Sequence, residues 1–276
     1  MQKIYIEKIN NTKLFSRKIK MEQDNLKISY NLEKEKNIRK LINKLLQNNT
    51  EAVVISKDLY KNEKLINYLN SNNIRIFDGK WLIKYLSIEI LDYIIQKKNL
   101  NKVELEIAIT TNEITELGIE LIKKLSKQYK RITVVTSHID KLRKIEKEIY
   151  EKEGILILVS NNQKKSLLKP AIILNLDFNK VVLNKYKINE NSIIINLEGD
   201  MKIENKRFNG ICINDYDIET GREEIIWREN IKAFRTKDLI EANYYCKDTF
   251  GNIHNKLRRS KLYIKELYGN NGIIEF

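Results

Sequence analysis

The chain has 276 residues, 42% of them hydrophobic and 32% charged, so it holds enough apolar side chains for about two compact domains and is not a disordered polypeptide. Its formal net charge of +14 would suit a polyanionic partner such as nucleic acid. No apolar run is long enough for a signal peptide or a membrane span, and two cysteines and two histidines exclude a disulfide framework and a zinc site of familiar spacing.

The first hundred residues alternate between short strands and amphipathic helices. Strands at 4–9, 13–19 and 26–30, separated by polar turns, predict a small edge sheet or hairpin. Apolar residues at helical spacing predict a helix over 33–48, since only a helix brings them to one face; they are Ile38, Leu41, Ile42, Leu45 and Leu46. A strand, a helix, a strand and a long apolar helix follow, at 52–55, 65–69, 74–77 and 81–95. This alternation predicts parallel strands joined by crossovers.

A polar segment at 96–102 is the predicted boundary between two lobes, because the alternation restarts after it. Nearly continuous apolar runs are typical of strands covered on both faces; they lie at 103–109, 132–136, 155–159, 171–176 and 192–197, with an edge strand at 210–213. Helices are predicted at 112–129 and 139–150, and apolar spacing after residue 220 predicts a helical tail that includes Trp227 and the segment 262–267.

The fold class expected from this pattern is α/β with two lobes, the second a doubly wound, mostly parallel sheet. The predicted domains are an N-terminal α/β lobe at 1–100, a Rossmann-like domain at 101–220, and a helical tail at 221–276 that packs back on the lobes. With no signal peptide or membrane span in the sequence, we expect a cytoplasmic protein with no membrane partner.

The order of elements over residues 103–197 carries a family resemblance. A strand and a helix are followed by a second strand, Arg131-Ile-Thr-Val-Val-Thr136, a charged helix, and the strand Lys169-Pro-Ala-Ile-Ile-Leu-Asn175. This order resembles the Rossmann domain of dehydrogenases of the shikimate and glutamyl-tRNA reductase type. The resemblance implies a dinucleotide site for NAD or NADP at the turn after the first strand. No catalytic residue of that family maps onto the N-terminal lobe.

The turn after the first strand departs from the family's G-x-G-x-x-G pattern. It reads Ile109-Thr-Thr-Asn-Glu-Ile-Thr-Glu-Leu-Gly118, so only Gly118 matches a glycine position, while Glu113 and Thr115 stand at the other two. Those two glycines provide the tight turn and the close approach of backbone to pyrophosphate. Glu113 and Glu116 would also place carboxylates where a helix N-terminus binds phosphate. We therefore expect weak binding of NAD and NADP, or none.

The second strand ends in Thr136-Ser137-His138, without the acidic residue that binds the ribose of NAD. Any small ligand is expected at the carboxyl ends of the strands, where short polar side chains converge. The candidate binding residues there are Thr110, Thr111, Asn112, Ser137, Asn161 and Asn175.

These observations favour a non-catalytic or regulatory Rossmann-like protein with a degenerate dinucleotide site, no cofactor, and an unknown protein or small-molecule partner. One alternative is a divergent NAD(P)-dependent dehydrogenase or reductase that does bind its cofactor. Another is a nucleic-acid-associated protein that uses short basic clusters at 13–20, 123–131 and 258–261. A Lys-, Asn- and Ile-rich composition with a single proline is also expected from AT-rich coding sequence, which would explain the positive charge without a function.

Overall fold

The computed structural model describes residues 1–9, 19–22, 24–29, 32–221 and 231–276, which fall into two compact units. The first unit contains Met1–Trp81 and Arg222–Cys246, and the second contains Leu82–Gly221 and Lys247–Phe276. Residues 82–100 thus group with the second unit, and the tail is divided between the two. The predicted division at residues 100 and 220 into independent domains stays a prediction.

The first unit is built on a five-stranded sheet in the order β2-β3-β1-β4-β5. Its strands are β1 (Lys3–Lys8), β2 (Ile19–Glu22), β3 (Asn25–Ile28), β4 (Ala52–Ile55) and β5 (Arg75–Ile76). Among the strands that the structure describes in this unit, the β2–β3 pair alone is antiparallel, and the other pairs are parallel, as the alternation predicts. The N-terminal strand β1 lies in the middle of the sheet and is not part of an edge hairpin. Most of the strand predicted at 13–19 lies outside the described residues.

Helices α1 (Glu35–Gln47) and α2 (Glu63–Ser71) belong to this sheet's core. The apolar stripe of α1 is buried as its spacing predicts, with Ile38, Leu41 and Leu45 fully enclosed beside Val53 and Ile55. The helix predicted at 81–95 is two helices, α3 (Lys80–Tyr85) and α4 (Ser87–Lys97). The Ser87 hydroxyl donates to the Lys84 carbonyl at 3.1 Å, a side-chain bond that competes with the helical ladder at the junction.

The second unit contains a six-stranded, fully parallel sheet in the order β11-β10-β9-β6-β7-β8. Its strands are β6 (Glu106–Thr110), β7 (Arg131–Val135), β8 (Leu158–Ser160), β9 (Ile172–Asn175), β10 (Ile193–Asn196) and β11 (Ile211–Ile213). Numbered from β6 and read from β8, the order is 3-2-1-4-5-6, which is the Rossmann order. The predicted doubly wound sheet and its edge strand at 210–213 are confirmed.

The two faces of this sheet are covered differently. Helices α5 (Glu116–Gln128) and α6 (Ile139–Glu153) join β6 to β7 and β7 to β8, and right-handed crossovers place both on one face. The connections on the opposite face contain only the short helix α7 (Lys180–Leu183) between β9 and β10. A buried cluster on that face includes Ala108, Val135, Ile173 and Ile194.

The tail is helical at α8 (Thr236–Tyr244), in the first unit, and at α9 (Phe250–Arg259), in the second. The helix predicted at 262–267 is wrong, because this segment is β13 (Leu262–Gly269), paired antiparallel with β12 (Asp215–Thr220) and β14 (Gly272–Ile273). Its apolar spacing suits either period. The segment Gly269-Asn-Asn-Gly272, with Gly272 at φ +104°, forms the turn of the hairpin between β13 and β14. Trp227 lies outside the described residues. None of the described helices is long and apolar enough to cross a membrane.

Candidate functional site

The ends of β6 and β9 meet where the strand order of the second unit reverses. Thr110 and Asn175 are paired in the sheet register and both are fully buried. The Thr110 hydroxyl donates to Asn175 Oδ1 at 2.6 Å, and Asn175 Nδ2 donates to the Phe178 carbonyl at 2.8 Å and to Asn196 Oδ1 at 2.7 Å. These two predicted site residues are therefore bonded to the protein itself in the crevice where Rossmann domains bind ligands.

The carboxylate of Asp177, a residue of the loop after β9, reaches the turn between β6 and α5. The backbone N–H of Asn112 donates to Asp177 Oδ1 at 2.7 Å, and the N–H of Glu113 donates to Oδ2 at 2.6 Å. The Thr111 hydroxyl also donates to Oδ2, at 2.9 Å. Backbone N–H groups of this turn and of the helix start hold the pyrophosphate in dinucleotide-binding Rossmann domains. An internal carboxylate thus occupies the anion position of the turn.

The start of α5 is capped by the chain as well. Thr115 is the N-cap residue, and its hydroxyl accepts the N–H of Gly118 at 3.1 Å. A Cβ atom on Gly118 would stand 3.4 Å from Leu176 Cδ1 and 3.3 Å from Thr115 Oγ1. Gly118 therefore allows close packing of helix against strand end, which is the role of the third glycine in the family pattern.

The anion at the turn comes from a residue that the sequence analysis missed. Glu113 and Glu116, which were expected at the anion position, are both exposed, and the acceptor of the Asn112 and Glu113 N–H groups is Asp177. Asp177 is the second residue after β9, the strand next to β6. The sequence could have indicated Asp177 only through this position, because the fourth strand of a Rossmann sheet lies beside the first and an acid just after it is close to the first turn.

The remaining predicted site residues divide into two groups. Asn112 Oδ1 accepts the backbone N–H of Ser137 at 2.9 Å and its hydroxyl at 2.5 Å, so it joins the turn after β6 to the residues after β7. Asn161 is exposed after β8 and lies outside this network. Hydrogen bonds therefore pair Thr110 with Asn175 and Asn112 with Ser137, and Thr111 donates a hydrogen bond to Asp177.

Asparagine side chains also link the ends of β9, β10 and β11. Asn196 Nδ2 donates to the Glu198 carbonyl at 3.0 Å and to Asn214 Oδ1 at 3.3 Å. Asn214 in turn accepts the N–H of Met201 at 2.8 Å and donates to its carbonyl at 2.9 Å. We refer to Asn175, Asn196 and Asn214 as the amide ladder. Asn175 and Asn196 are buried, where unpaired polar groups would be costly, and their amides bond to each other and to backbone carbonyls.

A buried charged cluster that was not expected from the sequence lies in the first unit. Asp238 on α8 is fully buried, and its Oδ2 accepts from the Tyr60 hydroxyl and from Arg235 Nε, each at 2.8 Å. The Arg235 guanidinium stands 3.6 Å from the Tyr60 ring centre. Burial raises the pKa of Asp238 to about 6 and raises the pKa of Tyr60, whereas Arg235 opposes both shifts.

Glu241, one turn further along α8, is buried too and accepts the backbone N–H of Gly79. Burial and the nearby Asp78 raise the pKa of Glu241 to about 8. Gly79 follows Asp78 in this turn and has φ +87°, a conformation that favours glycine. The cluster therefore ties α8 to the turn that precedes α3, which is a structural role.

In the second unit, Glu89 on α4 faces His254 on α9. The distance from His254 Nδ1 to Glu89 Oε1 is 3.6 Å, which is too long for a hydrogen bond. Burial raises the pKa of Glu89 to about 7 and lowers that of His254 to about 4, and the cations Lys124 and Arg258 also lower the pKa of His254. Within the described ranges, no group of three or more His, Cys, Asp or Glu residues is placed to hold a metal ion.

No family model and no curated protein matches the sequence. Among solved structures, the A chain of dipicolinate synthase from Bacillus subtilis is 11% identical, with a TM-score of 0.36 over 75% of this chain and 63% of that one. Shikimate 5-dehydrogenase from Listeria monocytogenes, solved with shikimate and NAD, is 10% identical, with a TM-score of 0.34 over 85% and 86%. L-tryptophan dehydrogenase from Nostoc punctiforme is 12% identical, with a TM-score of 0.34 over 86% and 75%.

The chain thus spans less than two thirds of the dipicolinate synthase subunit. Likenesses this distant carry no inference about activity. The Rossmann order of the second unit is shown by its own strand pairing.

Proposed function

We propose that the second unit is a Rossmann-like domain whose dinucleotide site is closed by its own side chains, and that the protein has a binding or regulatory role and transfers no hydride. The observation that supports this proposal is that the Asp177 carboxylate accepts hydrogen bonds from the backbone N–H groups of Asn112 and Glu113. A pyrophosphate needs those donors, and it would also be repelled by a carboxylate at the same position.

NAD and NADP do not fit this turn for two further reasons. The Gly118 N–H, a third donor at the helix start, is already used by Thr115. Glu113 and Thr115 also carry side chains at positions where the family pattern has glycine to admit the pyrophosphate. The crevice beyond the strand ends is crossed by the Thr110–Asn175 bond and the amide ladder. We therefore derive no reaction step through a nicotinamide cofactor.

The proposal is tested by titrating the full chain with NADH and NADPH and following nucleotide fluorescence. We expect no saturable binding to the wild type at micromolar concentrations. Asp140→Ala, which removes an acid from the first turn of the crossover helix α6, is the charge-matched control for Asp177→Ala, the variant that removes the internal anion. Micromolar binding to the wild type that Asn112→Trp abolishes would overturn the proposal and favour a divergent NAD(P)-dependent dehydrogenase or reductase.

A nucleic-acid partner is a separate proposal, and the net charge of +14 supports it. Ion pairs within the basic clusters weaken this support. In the basic cluster at 123–131, Lys123 bonds to Glu120 at 3.2 Å and Lys127 to Glu153 at 2.6 Å, so part of its charge is neutralised. Most of the cluster at 13–20 lies outside the described residues. Binding of a labelled oligonucleotide that falls steeply with salt would support this alternative, since phosphate contacts release counterions. A cytoplasmic location remains part of the proposal.

A further inference from the structure

One face of the sheet in the second unit lacks the helix that a parallel crossover ordinarily supplies. The chain from β8 back to β9 runs through residues 161–171, which contain turns but no helix. Parallel strands are usually joined by a helix packed on the sheet. Without it, the part of this face around Thr133 and Leu158 is left open, while Val135 further along β7 is buried, so Leu158 reaches the surface.

The open face forms a groove of about 580 Å³ within the second unit. Its floor is apolar: Leu158 and Leu156 are 62% and 76% exposed, next to Ile132 and Pro170. Leu158 is paired with Thr133 in the sheet register, so it belongs to the strand surface and not to a flexible end. Leu156 lies just before β8 and Leu158 is its first residue, and leucines exposed beside a sheet edge are typical of an interaction surface.

The rim of the groove is cationic. Its one carboxylate, Glu106, is bonded to Arg131 at 3.2 Å. The other charged lining residues are Lys130, Lys165 and Lys169, all of them exposed. None of these three lysines has a carboxylate partner in the part of the chain that the structure describes. The groove therefore combines an apolar floor with three uncompensated positive charges.

We propose that this groove binds an acidic segment of a partner protein, one that places apolar side chains on the leucine floor and carboxylates on the lysine rim. Nucleic acid is a poorer match, because none of the described lining residues is aromatic and could stack on a base. A second copy of the chain is disfavoured as well, since two like-charged rims would repel each other. This inference does not depend on the closed dinucleotide site.

Selection from a random peptide library on the full-length protein tests the proposal. We expect the selected peptides to combine Asp or Glu with Leu, Ile, Val or Phe. Leu158→Ser and the double variant Lys165→Glu/Lys169→Glu should each weaken their binding at least about tenfold, because they remove the floor and the charge separately. Val181→Ser and Lys185→Glu, at exposed positions outside the groove, are the matched controls and should bind as the wild type does.

Several results would overturn the proposal. Selected peptides without acidic enrichment, no selected binder at all, or binding that the groove variants leave intact would each exclude an acidic peptide partner. An oligonucleotide that binds more tightly than the peptides and is lost in the lysine variant would assign the groove to nucleic acid. Self-association of the wild type, measured by sedimentation and abolished by Leu158→Ser, would assign it to a second copy. Circular dichroism of each variant verifies that it remains folded.

Discussion

The Asp177 carboxylate lies 2.7 Å from the backbone nitrogen of Asn112, across the point where the sheet order of the second unit reverses. In a dinucleotide-binding domain this is where the N–H groups of the first turn meet a pyrophosphate. Here they meet an anion that the protein supplies on the neighbouring strand. The same interaction should therefore both stabilise the turn and exclude external anions, and these two effects are separately measurable.

Asp177→Asn should destabilise the second unit by about 2 kcal/mol, because it replaces charge-assisted bonds from two N–H groups by weaker ones and leaves one donor facing an amide NH₂. Urea unfolding of the full chain measures the change. Asp140→Asn, exposed on α6, is the control for loss of a negative charge. Equal stability of Asp177→Asn and the wild type would show that the carboxylate is not bound in solution as described.

Asp177→Ala should create an inorganic anion site at the same turn. The freed N–H groups of Asn112 and Glu113 then lack an acceptor, so added sulfate should raise the Tm of this variant more than that of the wild type. Chloride at equal ionic strength controls for general salt effects. If sulfate shifts both proteins equally, the turn is not an anion cradle.

Gly118 should tolerate no branched side chain. Its Cβ would already stand 3.3–3.4 Å from Thr115 and Leu176, so the further methyl groups of Gly118→Val should destabilise the second unit by about 1–3 kcal/mol. A Cβ atom added to Gly251 in α9 would meet no atom within 4 Å, so Gly251→Val is the matched control that should cost much less stability. Thermal unfolding compares the two, and equal losses would contradict the close packing at Gly118.

Glu241 should make the stability of the first unit depend on pH. Its pKa rises from 4.5 to about 8 on folding, so the folded state holds the proton more tightly. The stability that this proton provides is fully present below pH 4.5 and is lost as the pH rises to about 8. Glu241→Gln keeps an acceptor for the Gly79 N–H without a charge, so its Tm should increase relative to the wild type from pH 4.5 to pH 8.

Exposed Glu63 provides the control for this pH series, since Glu63→Gln should leave the pH dependence unchanged. A constant Tm difference between Glu241→Gln and the wild type across the range would mean that Glu241 is not buried as described.

Local pattern predicted much of the fold because burial repeats with the period of each element. The continuous apolar run at 52–55 is β4 at the predicted bounds, and the stripe predicted over 33–48 is α1 at Glu35–Gln47. The same reasoning failed at Leu262–Gly269, where apolar residues fit a helix or a strand and the choice was made by pairing with β12. It also predicted one helix over 81–95, where the structure has α3 ending at Tyr85 and α4 beginning at Ser87.

The sequence by itself showed that the first turn lacks two glycines of the family pattern and that polar residues follow the strands, because each of these features lies within one short stretch of chain. Only the tertiary structure decided which anion fills the turn, since Asp177 lies 65 residues beyond Asn112, and which groups surround Asp238, since Tyr60 precedes it by 178 residues. Hydrophobic periodicity carries no information about such pairs. Their geometry follows from the order in which parallel strands lie side by side, and from the burial that brings distant polar groups together because each needs a partner.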